Sequence, residues 1–221
     1  MLGPTLYLEY AELGTLAEFR TSHAQAFADD GVIRPILLDI VRALEALHQC
    51  GITHGDIKPS NILMFQDEGR FVAKVSDFGG AILNSEGQAG SLMFPGISPP
   101  WDSPESGNYI PAELVKKSDI YSFGLLYWWC RVNVPDPFGL AAGSINIFGF
   151  TGDWESRKDA FKALKKAQDL GPWMYTAIID GKTHSPRERT LDTEVSIVAQ
   201  ATLLRDPSQR TLNQVKIMLE K

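Results

Sequence analysis

The 221-residue sequence predicts one α+β domain that is mostly helical and carries a small β-hairpin. Three observations support this prediction. Several segments repeat apolar residues at helical spacing, two short alternating segments flank a turn, and a Gly-, Ser- and Pro-rich stretch over 79–111 shows no sustained period. Hydrophobic residues make up 44% of the chain and charged residues 22%, as in globular proteins that bury a core.

The first part of the chain is expected to contain a strand followed by helices. Residues 6–9 are apolar enough to form a buried strand, and a short helical segment is expected from Leu16. The first long helix is expected from Pro35 to Gly51. Apolar residues recur there at helical spacing, between a proline that suits a helix start and a glycine that suits a helix end.

A hairpin and further helices follow. Segments 62–65 and 70–76 flank the turn 66–69, and apolar residues alternate with more polar ones along the second segment, which predicts two antiparallel strands. The stretch 79–111 is long for a loop inside a compact domain, so a functional or disordered loop is expected there. Helices are then expected over residues 119–132, 154–170, 191–204 and 212–219.

Charge and cysteine content argue against several classes of function. The chain has 21 Lys and Arg against 27 Asp and Glu, a formal net charge of −6, so neither nucleic acid nor an anionic membrane is an expected partner. Cys50 and Cys130 lie outside any C-x-x-C spacing, which disfavours a zinc site and a disulfide framework. With no recognisable secretory signal or bilayer-length apolar run, the cytoplasm is the expected location, and the nucleus is the alternative.

A group of polar side chains after the first long helix carries the chemistry. Asp56, Lys58 and Asn61 lie close together in the sequence, and Asp77 follows at the end of the predicted hairpin. Phosphoryl transfer needs a carboxylate that orients the acceptor hydroxyl, a positive charge near the transferred group and hard oxygen ligands for magnesium. Asp56 can supply the first, Lys58 the second, and Asn61 with Asp77 the third.

Several motifs, in order, resemble those of the eukaryotic protein kinase family. Residues 54–61 are similar to its catalytic loop, residues 77–79 to its magnesium-binding motif, and residues 103–105 to the motif that closes its activation segment. The resemblance assigns residues 1–221 to one kinase-like domain with a mostly helical large lobe. Within it we expect a hinge at about 8–14, a catalytic loop over 54–61, an activation segment over 77–105 and large-lobe helices over 111–221.

The resemblance also implies how the large lobe is held together. Residues 118–124 are similar to the buried helix whose Asp, here Asp119, anchors the catalytic loop. A late motif around Arg210 is similar to the one whose Arg pairs with the last residue of the activation segment, here Glu105. A largely buried Glu105–Arg210 ion pair is therefore expected.

The ligands that the resemblance implies are ATP, Mg²⁺ and a protein substrate. The backbone C=O of Glu9 and the N–H of Ala11 would pair with adenine, Leu8 would be the gatekeeper, and Leu63 is assigned to the same nucleotide site. Asn61 and Asp77 would hold the metal.

The same family pattern bears on the acceptor. Lys58 is typical of family members that phosphorylate Ser and Thr. In segment 96–102, which resembles the substrate-docking stretch but carries one extra residue, Ser98 is the hydroxyl expected at Asp56.

Two departures from the family pattern affect function. Gly55 stands where most members have Arg, so control by a phosphorylated activation loop is not expected. Before Leu6 there is no Gly-rich phosphate loop, strand Lys or helix Glu, so a largely absent small lobe and impaired ATP binding and turnover are expected. Two alternatives stay open: a catalytically weak pseudokinase-like interaction module, and a small-molecule phosphotransferase, whose catalytic loops often read H-G-D.

The remaining charged and aromatic groups have simpler interpretations. His54 is expected to be a structural histidine under the catalytic loop. His23, His48 and His184 have no partners at ligand spacing and are expected on helix faces or the surface. The lysines of one late helix are expected to form a solvated face; these are Lys158, Lys162, Lys165 and Lys166.

Overall fold

A computed structural model of the chain describes residues 7–83, 90–95, 98–131, 154–167, 169–170 and 186–221, with the backbone alone described over 154–160 and 186–192. The α+β class is confirmed, because helices dominate and the strands form small antiparallel pairs. The helices are α1 (Leu16–Ser22), α2 (Ala24–Phe27), α3 (Asp30–Gln49), α4 (Lys117–Arg131), α5 (Trp154–Ala167), α6 (Pro186–Thr202) and α7 (Asn213–Leu219). The strands are β1 (Ile52–Thr53), β2 (Ile62–Asp67), β3 (Arg70–Val75), β4 (Ile82–Leu83), β5 (Ser91–Phe94) and β6 (Asn108–Pro111).

Helix α4 lies at the centre of the core. All its residues from Ser118 to Cys130 are buried, so this helix has no solvated face. Helices α3 and α6 pack on it, and its aromatic residues contribute to the main apolar cluster, as expected from the sequence. Asp119 is therefore a charged group deep in the domain, which requires hydrogen-bond partners.

Helix α3 begins earlier than expected. The sequence suggested a start at Pro35, but the helix starts at Asp30 and Pro35 lies inside it. The carboxylate of Asp29 accepts the N–H of Gly31 (2.9 Å) and so caps the helix. This cap explains the earlier start, since one interior proline removes only one backbone hydrogen bond.

The predicted hairpin is confirmed and its turn is tighter than expected. Strands β2 and β3 pair in antiparallel register from Ile62–Val75 to Asp67–Arg70. Only Glu68 and Gly69 remain in the turn, and both have positive φ (47° and 83°), which is the backbone of a type I′ turn.

Two expectations about strands were wrong. Residues 7–10 form no strand, and no described strand pairs with them; the following segment joins β2 through backbone bonds of Leu13 and Gly14 with Met64 and a bridge between Thr15 and Leu63. The stretch 79–111 is less irregular than expected, because β4 pairs with β1 and β5 pairs with β6. These partners are distant in sequence, so local periodicity does not reveal them.

The late helices also differ at their ends. Helix α5 ends at Ala167 before Leu170, whose backbone N–H donates to the C=O of Leu203 (3.2 Å) and whose side chain is buried. Helix α6 begins at Pro186, a residue that suits the first helical position. Within the described residues, no helix combines the length and apolarity needed to cross a membrane.

Candidate active site

The catalytic loop, residues 54–61, connects β1 to β2 and is anchored by the buried helix α4. The Asp119 carboxylate accepts the backbone N–H groups of His54 and Gly55, both at 2.8 Å. The imidazole of His48 contacts the same carboxylate, with 2.8 Å between Nε2 and Oδ2. The anchoring role expected for Asp119 is thus confirmed. His48 lies on a helix face, as expected, and the carboxylate that it contacts there lies far away in the sequence.

His54 has the structural role expected for it. Its side chain is fully buried, and Nδ1 accepts the backbone N–H of Asp56 (3.2 Å). Because Nδ1 is then an acceptor, Nε2 carries the proton and donates it to the C=O of Ser76 (2.8 Å). The imidazole therefore connects the catalytic loop to the end of β3 as a neutral ring.

Gly55 occupies a backbone position that no other residue type fits. Its φ is +79°, and a Cβ at this position would lie 2.6 Å from the backbone oxygen of Gly80. Both features exclude a side chain without movement of the loop or of the segment after Asp77. The loop geometry thus requires the glycine that stands here in place of the Arg of the family pattern.

The side chains of Asp56, Lys58 and Asn61 converge on one carboxylate oxygen. Nζ of Lys58 lies 2.7 Å from Oδ2 of Asp56, and Nδ2 of Asn61 lies 3.0 Å from the same atom. Nδ2 of Asn61 also donates to the backbone C=O of Asp56 (2.9 Å). Asp56 and Asn61 are buried at 8% and 5% exposure, so these charge-assisted bonds hold the carboxylate in a fixed position.

Asp77 lies beside this cluster in a strained backbone conformation. Its φ of +62° is uncommon for a residue other than glycine, and its carboxylate accepts the N–H of Gly79 (3.2 Å). The preceding Ser76 donates its N–H (2.9 Å) and its hydroxyl (3.0 Å) to the C=O of Asn61. These bonds join the chain at Asp77 to the chain at Asn61 and leave the Asp77 carboxylate in solvent.

Ser98 reaches the catalytic loop through Lys58. The hydroxyl of Ser98 lies 2.6 Å from Nζ of Lys58, which in turn contacts Asp56. The structure therefore brings Ser98 next to the cluster, with Lys58 between the serine and the aspartate. Gly96 and Ile97, the first residues of the docking stretch 96–102, lie outside the described residues.

The expected Glu105–Arg210 ion pair is present and is bidentate. The two terminal nitrogens of Arg210 donate to the two carboxylate oxygens of Glu105, at 2.6 and 2.9 Å. Arg210 is fully buried, and its guanidinium lies 4.8 Å from the ring centroid of Tyr121. Burial in turn raises the pKa of the Tyr121 hydroxyl well above its ordinary value.

The residues assigned to adenine lie on the hinge and on β2. Leu8 and Glu9 are exposed, whereas Ala11 and Leu63 are half-buried. The N–H of Leu13 donates to the C=O of Met64 (3.3 Å), so the end of the hinge is fastened beside the strand that carries Leu63. Glu9 forms an exposed ion pair with Lys74 on β3.

Sequence reasoning missed one charged group near the activation segment. Lys165 was expected on a solvated face, but it is 1% exposed and paired with Asp102 (Nζ to Oδ1, 2.6 Å). The sequence spacing does indicate this burial, because Lys165 lies four residues after the buried Phe161 and so shares its helix face. Lys162 and Lys166 are exposed as expected, and the side chain of Lys158 lies outside the description.

A family model described as "Protein kinase domain" matches residues 4–216. Dual specificity protein kinase zak2 of Dictyostelium discoideum is 32% identical over 139 residues, which cover 54% of this chain and 21% of the relative.

Two further relatives match a similar share of the chain. Serine/threonine-protein kinase STY17 of Arabidopsis thaliana is 28% identical over 120 residues, covering 54% of this chain and 20% of the relative. Serine/threonine-protein kinase ULK1 of Homo sapiens is 33% identical over 132 residues, covering 57% and 12%. The chain thus spans about a fifth or less of the length of these curated relatives.

Proposed function

The chain belongs to the protein kinase domain family, and from this premise we propose that it transfers the γ-phosphate of ATP to Ser or Thr hydroxyls of protein substrates. The observation that carries the proposal is the convergence of Lys58 and Asn61 on the Asp56 carboxylate, with Ser98 bonded to Lys58.

Asp56 is the residue that would meet the acceptor hydroxyl. Its carboxylate is largely buried and is held by two donors. It can therefore accept the hydroxyl proton as the oxygen attacks phosphorus. Lys58 adds positive charge beside that carboxylate, where the transferred phosphoryl group would pass. Its hydrogen bond to Ser98 orients this ammonium towards the activation segment.

Asn61 and Asp77 fit the metal that this chemistry uses. The side-chain amide of Asn61 donates its N–H groups to Asp56, and no donor among the described residues contacts its Oδ1. The described part of the chain groups no three His, Cys, Asp or Glu side chains around a metal position. One carboxylate, one amide oxygen and phosphate oxygens are a donor set that suits Mg²⁺, which when bound would offset the negative charge of the phosphates.

The adenine of ATP is assigned to the hinge. Glu9 would accept from it and Ala11 would donate to it through backbone groups, while Leu8 and Leu63 would supply apolar contact. The half-buried positions of Ala11 and Leu63, next to the bonds that fasten the hinge to β2, support this assignment.

A protein acceptor is favoured over a small molecule. The matching model is that of the protein kinase domain, and two of the relatives are named as serine/threonine kinases. The stretch 98–106 runs from the Ser98–Lys58 contact to the Glu105–Arg210 pair, and its less buried end at Ser98 and Pro99 lies beside the catalytic loop. The presence of Lys58 at the site favours Ser and Thr over Tyr.

The test removes the Asp56 carboxylate. Asp56→Ala is expected to lower turnover about a hundredfold or more, in line with the loss of a general base, while ATP binding changes little. Asp67→Asn, an exposed carboxylate on the hairpin, is the matched control and is expected to have no effect. Phosphate transfer to a Ser/Thr peptide and ATP affinity are measured in parallel. Transfer that survives the loss of Asp56, or ATP binding that is lost in step with transfer, would contradict this role of Asp56, and no transfer by the unaltered protein at saturating ATP and Mg²⁺ would favour an interaction module.

A further inference from the structure

Lys165, near the end of α5, is a buried cation that the residues of the proposed reaction do not use. Its ammonium has three oxygen atoms around it: Oδ1 of Asp102 at 2.6 Å, the backbone oxygen of Asp102 at 2.5 Å and that of Pro100 at 3.4 Å. An ammonium has three protons, so this set can satisfy all of them. Nζ also lies 5.0 Å from the ring centroid of Phe161.

The electrostatics around the Lys165 ammonium explain why it must stay paired with Asp102. Burial lowers the pKa of Lys165, and the charge and hydrogen bond of Asp102 act in the opposite direction. An isolated ammonium at 1% exposure would be strongly unfavourable, so Lys165 is stable there only while Asp102 stays in contact. The contact therefore restricts both α5 and the segment that carries Asp102.

That segment is the one that lies beside the catalytic loop. Ser98 binds Lys58 at one end, and its backbone oxygen accepts the N–H of Trp101 (2.8 Å), which closes a turn around Pro100. Glu105 binds Arg210 at the other end. Lys165 holds the middle of the segment by two backbone oxygens and one carboxylate.

We propose that Lys165 is a positioning residue for the protein acceptor: by holding Pro100 and Asp102 in the buried part of the stretch 98–105, it fixes the accessible end at Ser98 and Pro99, where the acceptor segment would lie next to Asp56. The proposal rests on the proposed kinase function. It adds α5, a helix far away in the sequence, to the elements that form the acceptor site. Since Lys165 touches neither the nucleotide residues nor Asp56, its removal should affect acceptor binding and leave the nucleotide site intact.

The experiment compares Lys165→Met with Lys166→Met, the exposed neighbour on the same turn, in the full chain. For Lys165→Met, KM for a Ser/Thr peptide is expected to rise about tenfold, because small displacements of a positioning element have large effects. The kcat and the KM for ATP are expected to stay within about twofold. Lys165→Arg keeps the charge and is expected to recover most of the lost peptide KM, and Lys166→Met should match the unaltered protein.

A second measurement keeps this inference separate from the kinase proposal. Hydrogen exchange over residues 98–106 is expected to rise in Lys165→Met and in Asp102→Asn, which removes the charge opposite Lys165 but keeps an oxygen acceptor, while exchange in the β2–β3 hairpin stays unchanged. This result would support the positioning role even if no phosphate transfer were detected, an outcome that counts against the kinase proposal alone. Unchanged exchange over 98–106, or a rise in the KM for ATP in step with that for peptide, would overturn the inference.

Discussion

The catalytic loop and the hinge contribute to the same proposed site, but their environments differ sharply. In the loop, His54 is fully buried, and Asp56 and Asn61 are less than 10% exposed. In the hinge, Leu8 is 80% exposed and Tyr10 is 84% exposed. Polar groups in the loop must be paired because they have left water, whereas the hinge groups remain solvated. Among the residues proposed for phosphate transfer, Asp56 and Asn61 are therefore preorganised by the core of the domain, whereas Leu8 and Glu9, proposed to contact adenine, are exposed.

This contrast predicts that substitutions at buried, paired groups lower the free energy of unfolding, whereas those in the exposed hinge leave it nearly unchanged. The largest effect is expected at the ion pair that closes the activation segment. Arg210→Ala leaves Glu105 buried without its partner and should lower the free energy of unfolding by about 3–5 kcal/mol. Denaturant unfolding measures this effect, with the exposed Arg205→Ala as control, expected to change stability by no more than about 0.5 kcal/mol. Equal losses for the two variants would contradict the importance of the buried pair.

An intermediate effect is expected at Gly55. Gly55 and Gly69 both have φ near +80°, but an added Cβ meets the oxygen of Gly80 at 2.6 Å in the first case and no atom within 4 Å in the second. The left-handed backbone strain common to both sites is about 1 kcal/mol for alanine in an open turn. Gly69→Ala should show this strain alone, whereas Gly55→Ala should cost about 3 kcal/mol, because overlap with the oxygen of Gly80 adds to the backbone strain. Thermal melting of the two variants isolates the steric term, and equal melting shifts would show that the loop can move away from Gly80.

The smallest effect on stability is expected in the hinge. Leu8→Ser should change the free energy of unfolding by less than about 0.5 kcal/mol, because the side chain is already in solvent. ATP affinity should fall severalfold if Leu8 covers adenine, since an apolar contact is lost. Leu83→Ser, 75% exposed on β4, is the control and should alter neither quantity. Titration with ATP and a parallel melt test this; an unchanged affinity for Leu8→Ser would remove Leu8 from the proposed site.

Much of the fold was predictable because its signals lie close together in the chain. The spacing of apolar residues predicts α3, α4 and the three helices that follow α4, and the two segments around the turn predict the hairpin. Helix ends were less predictable. The start of α3 depends on the Asp29 cap, which outweighs the signal from Pro35.

The sequence by itself determined the family, the identity of Asp56, Lys58, Asn61 and Asp77 as candidate site residues, and the partner of Arg210, because motifs keep their chemistry in short, ordered segments. Only the tertiary structure decided where other charges lie. Lys165 pairs with Asp102 and His48 with Asp119 across long stretches of chain. The pairing of β5 with β6 is likewise not visible in the local periodicity. A local pattern reports which face of a helix a residue occupies, but whether that face meets water or a carboxylate depends on what packs against it.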